Sequence, residues 1–219
     1  KKKTHRHFQR ENRGWIQDAF SKNEVKTMMK RGLIFGAFLM VLGACNENEK
    51  GVQEKVKSNV ERRLEMIAEV DSMESAMQKD NLNPDSPTAS ELLKTYVKFS
   101  ELYPGDKEKS PEYLYKAAAL SRAVKLPVKA IKLYDQILSR YPNWEKAPEV
   151  AFLIAFTYDE DINSPDLAEE AYRKVMEDFP GDHWAVQAEQ RLATIHMSDE
   201  ELIEYFQNKA GENSSQSGT

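Results

Sequence analysis

One thiol, four imidazoles and a dense set of carboxylates are the groups in this 219-residue sequence that could do chemistry. The thiol belongs to Cys45, and a lone cysteine makes neither an intrachain disulfide nor a thiolate zinc site. Asp159, Asp161, Asn163 and Glu170 stand at positions 1, 3, 5 and 12 of a calcium loop. Position 6, where glycine is needed, is Ser164, Pro165 follows, and Asp166 replaces the apolar residue of position 8. The stretch therefore reads as a turn between two helices, with Ser164 as cap. His183 and His196 have no nucleophile at a recognisable spacing, and the sequence holds no Walker loop, dinucleotide-binding glycine pattern or H-E-x-x-H. We expect no enzyme, no metal and no cofactor; a calcium-dependent or hydrolytic protein is the alternative from another class.

The surroundings of Cys45 give its thiol a different use. The 13 residues Gly32 to Ala44 are uncharged, too short for a spanning helix of roughly 20. Lys30 and Arg31 precede them, and the polar run Asn46-Glu47-Asn48-Glu49-Lys50 follows Cys45 at once. A basic flank, a short apolar region and small residues before a cut site are the pattern of an export signal. Leu42-Gly43-Ala44-Cys45 resembles the lipobox of bacterial lipoproteins, which implies that the Cys45 thiol is acylated and becomes the mature N-terminus. A core helix that happens to hold a cysteine is the plain alternative. Residues 1–27 then read as a misassigned extension, with Met28 or Met29 a natural start, residues 28–44 as the signal peptide and 45–51 as a lipidated linker. Charge divides at the same place: residues 1–31 carry ten Lys/Arg against three Asp/Glu, whereas residues 45–219 carry 21 against 33. A mature chain that acidic repels phosphate backbones, so no nucleic-acid partner is expected.

Beyond the linker the sequence repeats. Tyr103-Pro104, Tyr141-Pro142 and Phe179-Pro180 are spaced by 38 residues, and around them recur Tyr96, Tyr134 and Tyr172, then Ala117, Ala155 and Ala193. Apolar spacing predicts first helices over Ser110 to about Ala123, about Val150 to Asp159 and about Trp184 to Ile195. Second helices are predicted over about Ser90 to Tyr103, Val128 to Tyr141 and Pro165 to Phe179. Ser86-Pro87, Ser110-Pro111 and Ser164-Pro165 read as caps with proline in the first turn, and Gly105 and Gly181 as positions needing a positive φ. Ser198-Asp199-Glu200-Glu201 reads as a capping box that opens a last helix through about Lys209, a cap on the array, before a disordered tail at 211–219. Residues 52–85 carry one long amphipathic pattern through Val52, Val56, Val60, Leu64 and Ile67, which either packs on the array or forms a stalk that oligomerises.

The order Ala155, Ala168, Tyr172, Val175, Pro180, and before it Ala117, Ala130, Tyr134, Ile137, Pro142, resembles the tetratricopeptide repeat, whose common unit has 34 residues. The resemblance implies an all-α solenoid of antiparallel helix pairs over residues 86–210, in which the recurrent tyrosines, alanines and Pro104, Pro142 and Pro180 pack unit on unit. First-helix positions that line the hollow of such a stack are Leu114, Phe152 and Phe156, with Glu149 and Asp159 as polar edges. They are candidates for holding a protein segment, although aromatics at helical spacing also suit a core. A lipobox joined to such repeats resembles BamD/YfiO-like and YbgF/CpoB-like envelope lipoproteins of Bacteroidetes. That likeness implies a scaffold on the periplasmic face of the outer membrane, working in outer-membrane protein assembly or envelope maintenance. A Tol-Pal or division-associated factor is the second reading.

Overall fold

The computed structural model describes the backbone of residues 47–216 and the side chains of residues 58–198 and 200–209. Cys45, the signal peptide and the basic stretch before it lie outside the described residues. Among the described residues every regular element is helical. In chain order these are α1 (Glu47–Lys79), α2 (Pro87–Leu102), α3 (Lys109–Ala123), α4 (Pro127–Arg140), α5 (Ala147–Phe156), a π-helical turn (Thr157–Ile162), α6 (Pro165–Asp178), α7 (His183–Leu192) and α8 (Asp199–Gln216). The chain is all-α, and its residues group into two compact units divided between Leu126 and Pro127.

In the first unit α1 lies on α2 and α2 on α3. The α1 pattern docks through Met66, Val70 and Met77, which are buried, while Val60 and Leu64 nearer its start are 52% and 54% exposed. Tyr96 and Phe99 of α2 meet Tyr113 of α3, with ring centroids 5.1 and 4.8 Å apart. Each fully buried ring of this size is worth about 1.5–3 kcal/mol of transfer free energy. Helix α3 is buried almost all round, from Ser110 to Arg122.

The second unit places α4 on α5, α5 on α6 and α6 on α7. Ala151, Ala155, Ala168 and Ala188 alternate with Phe152, Phe156, Tyr172 and Val175 in one core. The small side chains let helix axes approach, and the large ones fill the space beside them. Helix α8 opens on the expected box: Ser198 Oγ accepts from the Glu201 N–H at 3.2 Å, and Glu201 Oε2 accepts from the Ser198 N–H at 2.8 Å. It then runs to Gln216, past the expected end near Lys209, because without proline each added residue completes one more backbone bond. Residues 211–216 are thus helical and not part of a tail. Ile203 and Phe206 remain 59% and 56% exposed, so the apolar face expected to close the array is not buried.

The turns repeat in detail. Tyr103, Tyr141 and Phe179 each donate the backbone N–H to the residue four earlier, Phe99, Ile137 and Val175, at 2.8 to 3.0 Å. Their carbonyls then accept from Asp106, Trp144 and Asp182 at 3.0 to 3.1 Å. Pro104, Pro142 and Pro180 come one residue after these ends and are exposed. They stop helices from exposed positions, since proline has no N–H to extend the ladder. At the opposite turns Lys125 and Asn163, also 38 apart, are left-handed with φ of 63° and 58°. The Leu126 N–H bonds to the Ser121 carbonyl at 2.8 Å, whereas the Ser164 N–H reaches one residue further back, to the Tyr158 carbonyl at 2.9 Å. The longer closure goes with the π-helical winding of Thr157–Ile162.

The serine-proline caps behave differently from one another. Ser86 Oγ accepts from the Ala89 N–H at 3.1 Å, as its cap position predicts. Ser110 instead lies inside α3 and donates its hydroxyl to the Tyr103 carbonyl at 2.7 Å, while Asp106 Oδ1 accepts from the Lys109 and Glu108 N–H groups. Ser164 stands at the cap of α6 without a side-chain bond to the helix. Gly181 takes the predicted left-handed conformation, φ 81°, and Gly105 does not.

Candidate functional site

Each unit holds a charged layer built in the same way, from an acid on one helix, a tyrosine on the next and a cation on the third. In the first unit Glu74 of α1 accepts from Tyr96 OH of α2 at 2.7 Å and from Lys116 Nζ of α3 at 3.0 Å. Lys116 also pairs with Glu112 one turn earlier at 2.8 Å, and Glu112 with Lys109 at 2.8 Å. Arg63 of α1 bonds Asp106 in the turn before α3, through Nε at 2.8 Å and through Nη2. Burial pushes the Glu112 carboxyl up, but Lys116 and Lys109 outweigh it and hold the group below its ordinary range. Asp106 behaves alike: burial is more than offset by the Lys109 N–H and the Arg63 guanidinium. Burial lowers the Lys116 ammonium, and Glu74 and Glu112 reverse that and raise it. Tyr113 OH, inside this layer, is buried without a hydrogen-bond partner.

In the second unit Asp159, on the π-helical turn, accepts from Tyr172 OH of α6 at 3.1 Å. Arg191 of α7 lies 3.4 Å from Asp159 and 2.6 Å from Glu160, with its guanidinium carbon 4.9 Å from the Phe156 ring centroid. Desolvation raises Asp159 despite the opposing Arg191 charge, and burial likewise raises the Tyr172 phenol. Two surroundings of opposite effect thus act on the carboxylates of the two units.

The residues singled out in the sequence separate into several sets. Tyr96, Tyr134 and Tyr172 are buried, with at most 1% exposure, as are Ala117 and Ala155 at 0%. Ala193 is not buried, because α7 ends at Leu192 and leaves it in the closing turn; Ala185 and Ala188 take the buried places. Leu114, Phe152 and Phe156, candidates for a groove, lie in the cores at 0%, 5% and 7% exposure. Phe152 is enclosed by Phe156, Tyr172 and Trp184, at centroid distances of 6.1, 5.5 and 5.0 Å. These side chains have internal partners and no open face for a ligand. The polar edges are different: Glu149 and Asp159 are partly exposed and Glu160 is exposed.

His183 starts α7 and stacks edge-on against Trp184, and His196 pairs with Glu169 at the surface. Among the described residues no three His, Cys, Asp or Glu side chains converge as metal ligands would. Nor is any helix among them long and apolar enough to cross a membrane. The sequence reading missed Glu74, Glu112, Lys116, Tyr113 and Arg191. One signal was present: Glu112 and Lys116 stand four apart in a helix otherwise made largely of Tyr, Leu and Ala. What the whole arrangement can do is hold three consecutive helices at one register and present carboxylates at its rim. No family model and no curated protein matches the chain, so its function rests on this geometry and on the sequence pattern.

Proposed function

We propose that this chain is a non-enzymatic protein-binding scaffold, a tetratricopeptide-like stack of helix pairs with a 38-residue period, held at the outer membrane by an acyl chain on Cys45. Its work is outer-membrane protein assembly or envelope maintenance. The observation that carries the reading is the recurrence of one set of turn bonds at Tyr103, Tyr141 and Phe179, each following a buried tyrosine seven residues earlier. A helix pair that cannot bury its own apolar face needs a neighbour, and stacked pairs offer long surfaces to other proteins. With Leu114, Phe152 and Phe156 in the cores, the contact surface falls to the rim of Glu149, Asp159 and Glu160, which suits a partner segment rich in Lys or Arg.

Photo-crosslinkers at Glu149 and Glu160 in intact cells test the reading. One dominant envelope protein should be captured, and less of it when Cys45→Ser prevents acylation and shifts the chain out of the membrane fraction. Unselective capture, or membrane fractionation that Cys45→Ser leaves unchanged, counts against it. The exposure of Val60 and Leu64 supports a second reading, a Tol-Pal or division-associated factor whose N-terminal helices associate. Loss of a dimer or trimer on removing residues 46–85 would favour that one.

A further inference from the structure

The face of α2 and α3 that α1 covers is a helix-binding surface, and three observations show how loosely its present occupant is attached. Among the described side chains of α1 only Met66, Val70 and Met77 are buried there, with Ile67 and Met73 partly buried, and the methionines are flexible and suited to adaptable contacts. Polar ties accompany them: Arg63 to Asp106, and Glu74 to Tyr96 and Lys116. Second, α1 is 33 residues, about 50 Å, against 16 residues, about 24 Å, for α2, so its N-terminal part extends beyond α2, and Val60 and Leu64 keep apolar side chains exposed. Third, the connection from α1 to α2 is under strain. Asn81 and Leu82 are consecutive non-glycine residues with φ of 53° and 55°. Asparagine tolerates that conformation as a helix C-cap, but leucine does not. The Leu82 N–H is bonded to the Met77 carbonyl at 2.8 Å, so the turn closes only by holding leucine there.

A short strained hinge beside a modest interface is the condition under which a segment leaves its own body and takes the same place on another. We infer that α1 exchanges between copies: the hinge at Asn81 and Leu82 straightens, and α1 of one chain docks on α2 and α3 of a second copy. The occupant is the second copy's α1 because the surface is already complementary to it, residue by residue, through Tyr96, Lys116 and Asp106. This differs from a stalk formed by the overhang, since it remakes the Met66–Met77 contacts in trans.

Two full chains in mild detergent, one carrying Glu74→Lys and the other Lys116→Glu, test the exchange. Each alone sets like charges across the α1–α3 seam, whereas in the mixed pair reciprocal exchange removes the clash by bringing the substituted residues of the two chains together. Light scattering after gel filtration should show at least tenfold more heterodimer in the mixture than dimer in either chain alone. A mixture that stays as two monomers overturns the inference. The unmodified chain gives a second readout that does not depend on the charge variants folding. Differently tagged copies, warmed together and cooled, should co-purify, and Leu82→Gly, which removes the strain, should lower that share several-fold. Copies that never co-purify, or a dimer indifferent to Leu82→Gly, also overturn it.

Discussion

Tyr113 carries a buried hydroxyl that the fold does not satisfy, and Tyr96 beside it carries one that Glu74 accepts from. Removing the two hydroxyls should have opposite effects. Tyr113→Phe should raise stability by about 1 kcal/mol, and Tyr96→Phe should lower it by about 1 kcal/mol, both read from urea midpoints at constant slope. The carboxylates separate in the same manner under acid. Asp106 and Glu112 have depressed values in the folded chain, so their stabilisation is present above the ordinary carboxylate range and is lost as pH falls through their folded values. Asp159 is raised, so its folded form gains from protonation, and its contribution is lost as pH rises through its folded value. Hydrogen exchange followed from neutral pH to about pH 3 should show protection in α2 and α3 falling before protection in α6. Loss in the reverse order would contradict the ion-pair account. The pairings between helices could not be read from the sequence. Glu74 and Lys116 are 42 positions apart, and nothing local shows that a charge on one helix will be buried by another.

Helices are legible in a sequence where apolar spacing and end signals agree, and the six paired helices here lie within a few residues of their predicted spans. The ends were harder. Ser86, Ser110 and Ser164 share one motif, serine followed by proline, yet only Ser86 accepts a helical N–H. The difference is tertiary: the Tyr103 carbonyl is within reach of Ser110 and draws its hydroxyl away from the cap. Ser86→Ala should therefore cost about 1 kcal/mol, whereas Ser164→Ala should stay within about 0.5 kcal/mol, as chemical denaturation would show. The π-helical turn was also beyond reach. The 38-residue spacing is the same on both sides of this turn and of the one at Lys125, so nothing in it shows that their winding differs.

Across the whole molecule, the repeat pattern marks Tyr96, Tyr134 and Tyr172 as packing residues, but it could not say which way the aromatics of α5 point. Phe152 and Phe156 are four apart, a spacing that suits either side of a helix with apolar residues nearly all round. Their burial makes the second unit's core larger and its outward face more polar than expected. Tyr134→Ala should cost about 3 kcal/mol or more, since that ring is 1% exposed, and thermal unfolding would register it. An acidic rim also implies that capture of a basic partner at Glu160 weakens as ionic strength rises; insensitivity to salt would argue for another surface.

The widened turn at Thr157–Ile162 sets the azimuth of every carboxylate on it. Deleting one residue ahead of Asp159 would move each acid back by one position, about 100° round an α-helix. Arg191 would then be left facing a different part of the circumference from Glu160.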